Sequence, residues 1–278
     1  WRNLSCKFHE SCNDFSLKIK IQGDSKMNVK LLTYTKDPEK TVAAAAKLCY
    51  SKSDIKTLMD GLTDEKVSSF LDKLESYKHF SPMEHISFTF GIEGVSRSFL
   101  AQISRHRIAS FSVQSQRYVD MDNADHVVPK EIYDAGYSVV RLYEESVKNS
   151  FNNYNELKEE LTKKYIAEGM KESPAKKKAQ EDARYLLPEA CCTRMIVTMN
   201  ARELNHFFNL RCCNRASREI REVAEEMLKL VYPVAPHLFK SAGPSCVCGA
   251  CPEGNMSCGK AKEMREKYNI IKNGENNG

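Results

Sequence analysis

Apolar and polar positions alternate immediately after Met27. In "NVKLLTYT", Val29, Leu31 and Thr33 share one side of an extended chain, which predicts a strand. A second alternation, "HISFTFGIEG", places Ile86, Phe88, Phe90 and Ile92 on one face, and "TRMIVTMN" reads as a further core strand. Elsewhere the period becomes helical. "TVAAAAKLCY" predicts a helix because alanine loses no side-chain entropy on ordering, and "DEKVSSFLDKLESY" repeats Val67, Phe70, Leu71 and Leu74 at helical spacing. "SRSFLAQISRH" turns Phe99 and Ile103 inward and delivers Gln102, Arg105 and His106 at its C-terminal end. From Glu131 the chain reads as two long helices with solvated charged faces, broken near Glu172, Ser173 and Pro174. "SREIREVAEEMLKLVYPVAPHLF" supplies a last amphipathic helix that ends at its prolines. Ser81, Pro82 and Glu84 predict one capped turn ahead of the second strand, and Asn200 with Glu203 predict an N-cap and its capping-box partner for "ARELNHFFNL".

Composition narrows the class without naming it. The chain has 278 residues, 41% hydrophobic and 28% charged, as expected for one large globular domain or two intimate ones. No apolar run approaches the roughly 20 residues that cross a bilayer, and the N-terminus shows no apolar signal region, so a cytoplasmic location without membrane contact is expected. Eleven cysteines in such a chain read as reduced thiols. A net charge of +5 permits a polyanionic partner and suits a small phosphorylated ligand equally well. Residues 1–26 have no clear period and read as an N-terminal extension, with Met27 the expected native start.

The chemistry concentrates in "RHRIASFSVQSQRY". Taken alone, Arg105, His106 and Arg107 would be solvated side chains complementing a helix dipole. Ser115, Gln116 and Arg117 follow on an irregular or extended stretch, so guanidinium, amide and hydroxyl groups can converge on one planar anion. A nucleic-acid patch is the competing use, but only Phe111 and Tyr118 interleave and the overall charge is low. A mononucleotide is the more economical ligand. There is no G-x-G-x-x-G and no Walker loop, so a dinucleotide would be held by side chains.

"RHRIASFSVQS" fits the RHR-x7-S signature of the flavin-dependent thymidylate synthases, with Ser115 as its serine. "HFSPMEH", "QISR", "ARYLLP" and "NARELNHFFNLR" resemble further segments of that family, in the expected order, from about Met27 to Phe239. The resemblance implies a non-Rossmann α/β fold with a mainly antiparallel sheet flanked by helices, a catalytic domain over residues 27–240 and a Cys/Gly-rich tail over 241–278. It also implies methylation of deoxyuridine monophosphate (dUMP) with 5,10-methylenetetrahydrofolate as carbon donor and NADPH reducing through FAD. Carried over by position, Gln102, Arg105, Gln114, Ser115, Gln116, Arg117 and Arg184 would line the nucleotide site, with Arg211 as the catalytic group at the uracil edge. His79, Ser81, Arg105, His106, Arg107, Asn200, Arg202 and His206 would hold FAD. The family's sites are shared between subunits of a homotetramer, and no nucleic-acid partner is implied.

Plainer roles stand beside these. Ser115 has no evident base and reads as a hydrogen-bond donor rather than a nucleophile. Arg184 has Glu181 nearby as a surface ion-pair partner, Asn200 can serve only as a cap, Gln116 can face solvent, and His85 reads as structural. Val113 stands where family members carry Glu or Gln, and Gln114 offers a substitute from the adjacent position. Cys246, Cys248, Cys251 and Cys258 form C-x-C-x2-C-x6-C, open to zinc or to redox chemistry; unligated thiols or a disordered tail is the expectation, with no metal. Cys212 and Cys213 are expected to pack.

Overall fold

The computed structural model describes residues 26–122 and 124–273, so all but the last residue of the expected N-terminal extension lies outside the described residues. The three alternating stretches form strands β1 (Asn28–Tyr34), β2 (Ser87–Ser96) and, after the additional β3 (Ala109–Val113), β4 (Cys192–Asn200). Their order in the sheet is β1-β2-β4-β3, and every neighbouring pair is antiparallel.

Period-two alternation assigns the two faces. Phe88, Phe90 and Ile92 of β2, with Ile86 just before it, are buried together with Met195, Val197 and Met199 of β4. The other face pairs the Thr89 and Thr198 hydroxyls at 2.9 Å and exposes Leu32 and Ile196. Strand β1 keeps its expected alternation only to Leu31. A register shift between Leu31 and Thr33 leaves Val29 and Leu31 against the core and Thr33 exposed. Strand β3 had the same period in miniature, with Ala109, Phe111 and Val113 packed on the core and Ser110 and Ser112 exposed.

Helix α1 (Pro38–Leu48) begins earlier than its alanines because Pro38 fits a first turn, and it buries Val42, Ala43 and Ala46. A short α2 (Ile55–Asp60), not apparent in the periodicity, is capped by Asp54, whose Oδ1 accepts from the Thr57 amide. Helix α3 (Asp64–Ser76) buries Val67, Leu71 and Leu74. The expected capping box at Ser81 does not form: Ser81–His85 is a 3-10 turn without a side-chain cap, and Glu84 reaches outward to Arg202.

Helix α4 (Arg97–Ile103) buries Phe99 and Ile103 as expected and is capped by Ser96. Its helical turns stop at Ile103, leaving Arg105 and His106 just beyond the end. A short α5 (Lys130–Asp134) precedes α6 (Tyr137–Ala167) and α7 (Glu172–Ala183). The break between the long helices falls at Gly169, whose φ of 95° closes α6, rather than at Pro174, which sits in the first turn of α7 where a missing N–H costs little. Helices α8 (Ala201–Arg211) and α9 (Arg218–Val231) pack beneath the sheet. Among the described residues, no helix is long and apolar enough to cross a membrane.

The cysteine-rich tail is part of this core. Helix α10 (Ala261–Asn273) buries Met264 and Tyr268 in the same cluster as Phe88 and Phe208. Tyr268 is fully buried and shares its O–H between the Cys212 carbonyl at 3.2 Å and a Glu225 carboxylate oxygen at 3.1 Å. Burial and the neighbouring carboxylate raise its pKa, so it remains a donor. Gly243, at φ 123°, passes so close to this ring that a Cβ there would lie 2.9 Å from it. Tyr268→Phe is expected to destabilise the chain by about 1–3 kcal/mol, because the Cys212 carbonyl loses its donor inside the core. Urea denaturation measures this, and an unchanged midpoint would show that the tail contributes only apolar packing.

Candidate active site

Helix α8 builds the centre of the site. Asn200 caps it, its Oδ1 accepting from the Glu203 amide at 2.8 Å, as the sequence predicts. Glu203 does not complete the capping box. Its side chain turns instead along the helix, where Glu203, Phe207 and Arg211 recur every fourth residue and therefore share one face.

His106 lies against that face. Its Nδ1 is 2.8 Å from Glu203 Oε1, its ring meets Phe207 edge-on at 4.9 Å, and Arg211 Nε donates to its Nε2 at 3.0 Å. An arginine Nε–H can only donate, so Nε2 accepts and the proton sits on Nδ1, donating to the carboxylate. The imidazole is neutral. The Glu203–His106 contact is thus a hydrogen bond to a carboxylate rather than an ion pair. Burial lowers the His106 pKa, the charge of Arg211 adds to the effect, and Glu203 opposes it. Arg211 also donates from Nη2 to the Gln102 carbonyl at 3.4 Å. Its own pKa is lowered by burial and by the charge of Arg105. Gln102 exchanges side-chain hydrogen bonds with Ser217, at the start of α9.

The remaining candidates fall into separate groups. Arg105 and Arg107 are exposed, and among the described residues no side-chain hydrogen bond or ion pair holds either. Ser115 accepts from the Arg117 amide at 3.2 Å, with no base bonded to its hydroxyl among the described contacts. Arg117 pairs with Glu181 through Nε at 2.9 Å and Nη2 at 3.1 Å, occupying the carboxylate expected to compete for Arg184. Arg184 lies instead over the Tyr185 ring at 5.8 Å. Gln116 reaches the buried Cys191 sulfur, and Gln114 is partly buried at the end of β3, where its amide donates to the Arg194 carbonyl.

A third group lines a cavity of about 490 Å3 with Lys78, His79, Arg202, Asn205, His206 and Asn209. The end of α3 positions His79: Lys78 takes a left-handed φ of 54°, and the His79 amide donates back to the Leu74 carbonyl at 3.0 Å. Arg202 pairs with Glu84 at the rim. Ser81 and His85 are both exposed, so His85 is not a core histidine. Cations, imidazoles and amides around one cavity suit an anionic ligand bearing a heterocycle, and a flavin dinucleotide has that chemistry.

Cys212 is fully buried, and burial pushes its thiol up to about 12; Cys213 is partly buried. Cys213, Cys246 and Cys251 line a smaller cavity beside Arg211, whereas Cys248 faces the larger one. Among the described residues, no group of three or more His, Cys, Asp or Glu has an arrangement that could hold a metal ion. The residue that the motif reading missed is Glu203, for which the fourfold spacing to Phe207 and Arg211 was the available signal.

The lowered His106 pKa has a consequence for stability. Below about pH 6.5 the unfolded chain binds a proton at this histidine before the folded chain does, so its contribution falls with pH until the folded pKa is passed. Urea midpoints between pH 8 and 5 are expected to fall less steeply in His106→Gln than in the unaltered protein. Equal slopes would show that His106 titrates as it does in the unfolded chain.

Comparison with known proteins gives the same answer from several directions. The family model described as "Thymidylate synthase complementing protein" matches residues 30–237. The chain is 55% identical to a flavin-dependent thymidylate synthase of Clostridium tetani over 242 residues, covering 87% of this chain and 97% of the relative. It is 48% identical to the one from Geobacter sulfurreducens, covering 87% and 98%. Among solved structures, a UMP/dUMP methylase, PolB, from Streptomyces cacaoi bound with 5-Br dUMP superposes with a TM-score of 0.63 at 26% identity, over 79% of this chain and 97% of that one. Thymidylate synthase X from Helicobacter pylori with FAD and dUMP shares the fold, with a TM-score of 0.55 at 23% identity, over 78% and 98%. The RHR segment, the helix that carries Arg211 and this extent of similarity together place the chain in the flavin-dependent thymidylate synthase family.

Proposed function

We propose that the chain converts dUMP to thymidylate, taking the one-carbon unit from 5,10-methylenetetrahydrofolate and reducing equivalents from NADPH through FAD. The observation that carries this reading is Arg211, held at Nε by a neutral imidazole with the exposed Arg105 beside it. A guanidinium held at Nε by His106 and at Nη2 by the Gln102 carbonyl still has N–H groups for a ligand, and its position is set before the ligand arrives. Those groups suit the carbonyl edge of uracil, where they would orient the base and stabilise electron density as C5 becomes nucleophilic.

Arg105, Arg117 and Arg184 supply charge for the nucleotide phosphate, and Gln102, Gln114, Ser115 and Gln116 supply polar contacts to the nucleotide. The flavin, when bound, supplies the electrons that reduce the transferred carbon. His79, Ser81, Arg107, Asn200, Arg202 and His206 hold it by charge and hydrogen bonding. Both ring nitrogens of His106 are engaged within the chain, so its part is to set Arg211 rather than to donate to the cofactor. His206 joins the cavity to the Arg211 group through its ring contact with His106, and a homotetramer with shared sites would let a neighbouring subunit bring the Arg117 group to them. A cytoplasmic location follows from these nucleotide and folate substrates.

The test is product formation in anaerobic mixtures of purified protein, dUMP, methylenetetrahydrofolate and NADPH, with and without added FAD. Flavin-dependent thymidylate is expected, and its absence from a folded, flavin-loaded protein would refute the reading. Arg211→Ala is expected to lower kcat by about a hundredfold or more with flavin content retained. An unchanged rate would remove Arg211 from the mechanism.

A further inference from the structure

We propose that Glu203 is the positioning residue for Arg211, acting through His106; this rests on the role assigned to Arg211 above. Three side chains form one linear chain of hydrogen bonds, with Glu203 and Arg211 two turns apart on α8 and His106 bridging them from the segment after α4. Glu203 is only 7% exposed and His106 4%, so water does not substitute readily for either partner. The Glu203 carboxylate lies in the first turn of α8, at the positive end of the helix dipole, and meets the Nδ1–H of His106.

The carboxylate selects the tautomer. As an acceptor only, ionised Glu203 requires the imidazole proton on Nδ1, which leaves the Nε2 lone pair for the Arg211 Nε–H. Without that selection the ring can carry its proton on Nε2, where it confronts the Arg211 donor and the bond is lost. Protonation of the ring has the same effect and adds repulsion between two cations. The charged and titratable groups around the ring are Glu203, His206 and Arg211 on α8, with Arg105 and Arg107 on its own segment. Glu203 is the acidic member of this set. Its charge therefore favours the imidazolium while its geometry favours the neutral, Arg-accepting form, and burial decides between them.

The experiment compares Glu203→Ala and Glu203→Gln in the full-length, flavin-loaded protein. It measures kcat and KM for dUMP against pH, together with the tautomer and titration of the His106 ring by 15N NMR. The alanine variant is expected to lose about ten- to a hundredfold in kcat, with smaller change in KM, as Arg211 loses its fixed position. The glutamine variant can present an amide oxygen to Nδ1–H and is expected to recover most of that loss. Because it lacks the charge that raises the His106 pKa, its ring titration and the acid limb of its rate profile are expected to move to lower pH. Unchanged ring titration in the folded glutamine variant would overturn the proposal whatever the turnover, and would do so even if the alanine variant failed to fold. The reading of Arg211 fails separately: a shifted ring titration in the Glu203 variants, with full turnover in Arg211→Ala, would sustain the relay and sink the catalytic role of Arg211.

Discussion

The hydrogen bond from Arg211 Nε–H to His106 Nε2 constrains everything near it. It fixes the imidazole as neutral, puts its proton on Nδ1, and gives the carboxylate of Glu203 the acceptor's part. The bond is available because α8 presents Glu203, Phe207 and Arg211 on one face and because α4 ends at Ile103, releasing the chain in time to lay His106 along that face. The cap at Asn200 fixes the start of α8, and the tail fixes its end through the Tyr268 contact with the Cys212 carbonyl. Without these contacts the long Arg211 side chain would sample many rotamers, and ordering it on a ligand would cost entropy.

Around this fixed point the protein leaves positive charge uncompensated. Arg105 repels Arg211, and Arg107 stands exposed without a carboxylate partner among the described residues. Such an arrangement of like charges favours the binding of an anion. By contrast, Arg117 and Arg202 are held by Glu181 and Glu84, exposed pairs of modest strength that a phosphate can displace.

Much of this was legible in the sequence, and the reasons differ from element to element. Strands β2 and β4 showed clear period-two alternation because one face is fully buried. Strand β3 was obscured by its serines and by the motif that surrounds it, and the bulge in β1 left no mark on the pattern of apolar residues. Pro174 was misleading because proline breaks a helix interior but suits a first turn, and position within the helix is not written in the residue itself. Helix α10 was hidden by the Gly- and Cys-rich segment before it, although Met264 and Tyr268 have the spacing of a buried face. In the site, the motif gave the residues but not their partners. Glu203 looked like a capping residue because the local pattern is the same whether its side chain reaches back to the cap or along the helix to a histidine distant in sequence.

The central claim is the proposed sharing of one nucleotide site between chains, since no described contact joins the groups around Arg211 and Arg117 within one chain. The most direct test mixes two inactive variants, Arg211→Ala and Arg117→Ala, under conditions that exchange subunits, and measures thymidylate formation. If the site is shared between chains, mixed oligomers contain sites with both arginines intact, and turnover appears that neither variant has alone. Verified mixed oligomers that remain as inactive as their parents would contradict the account.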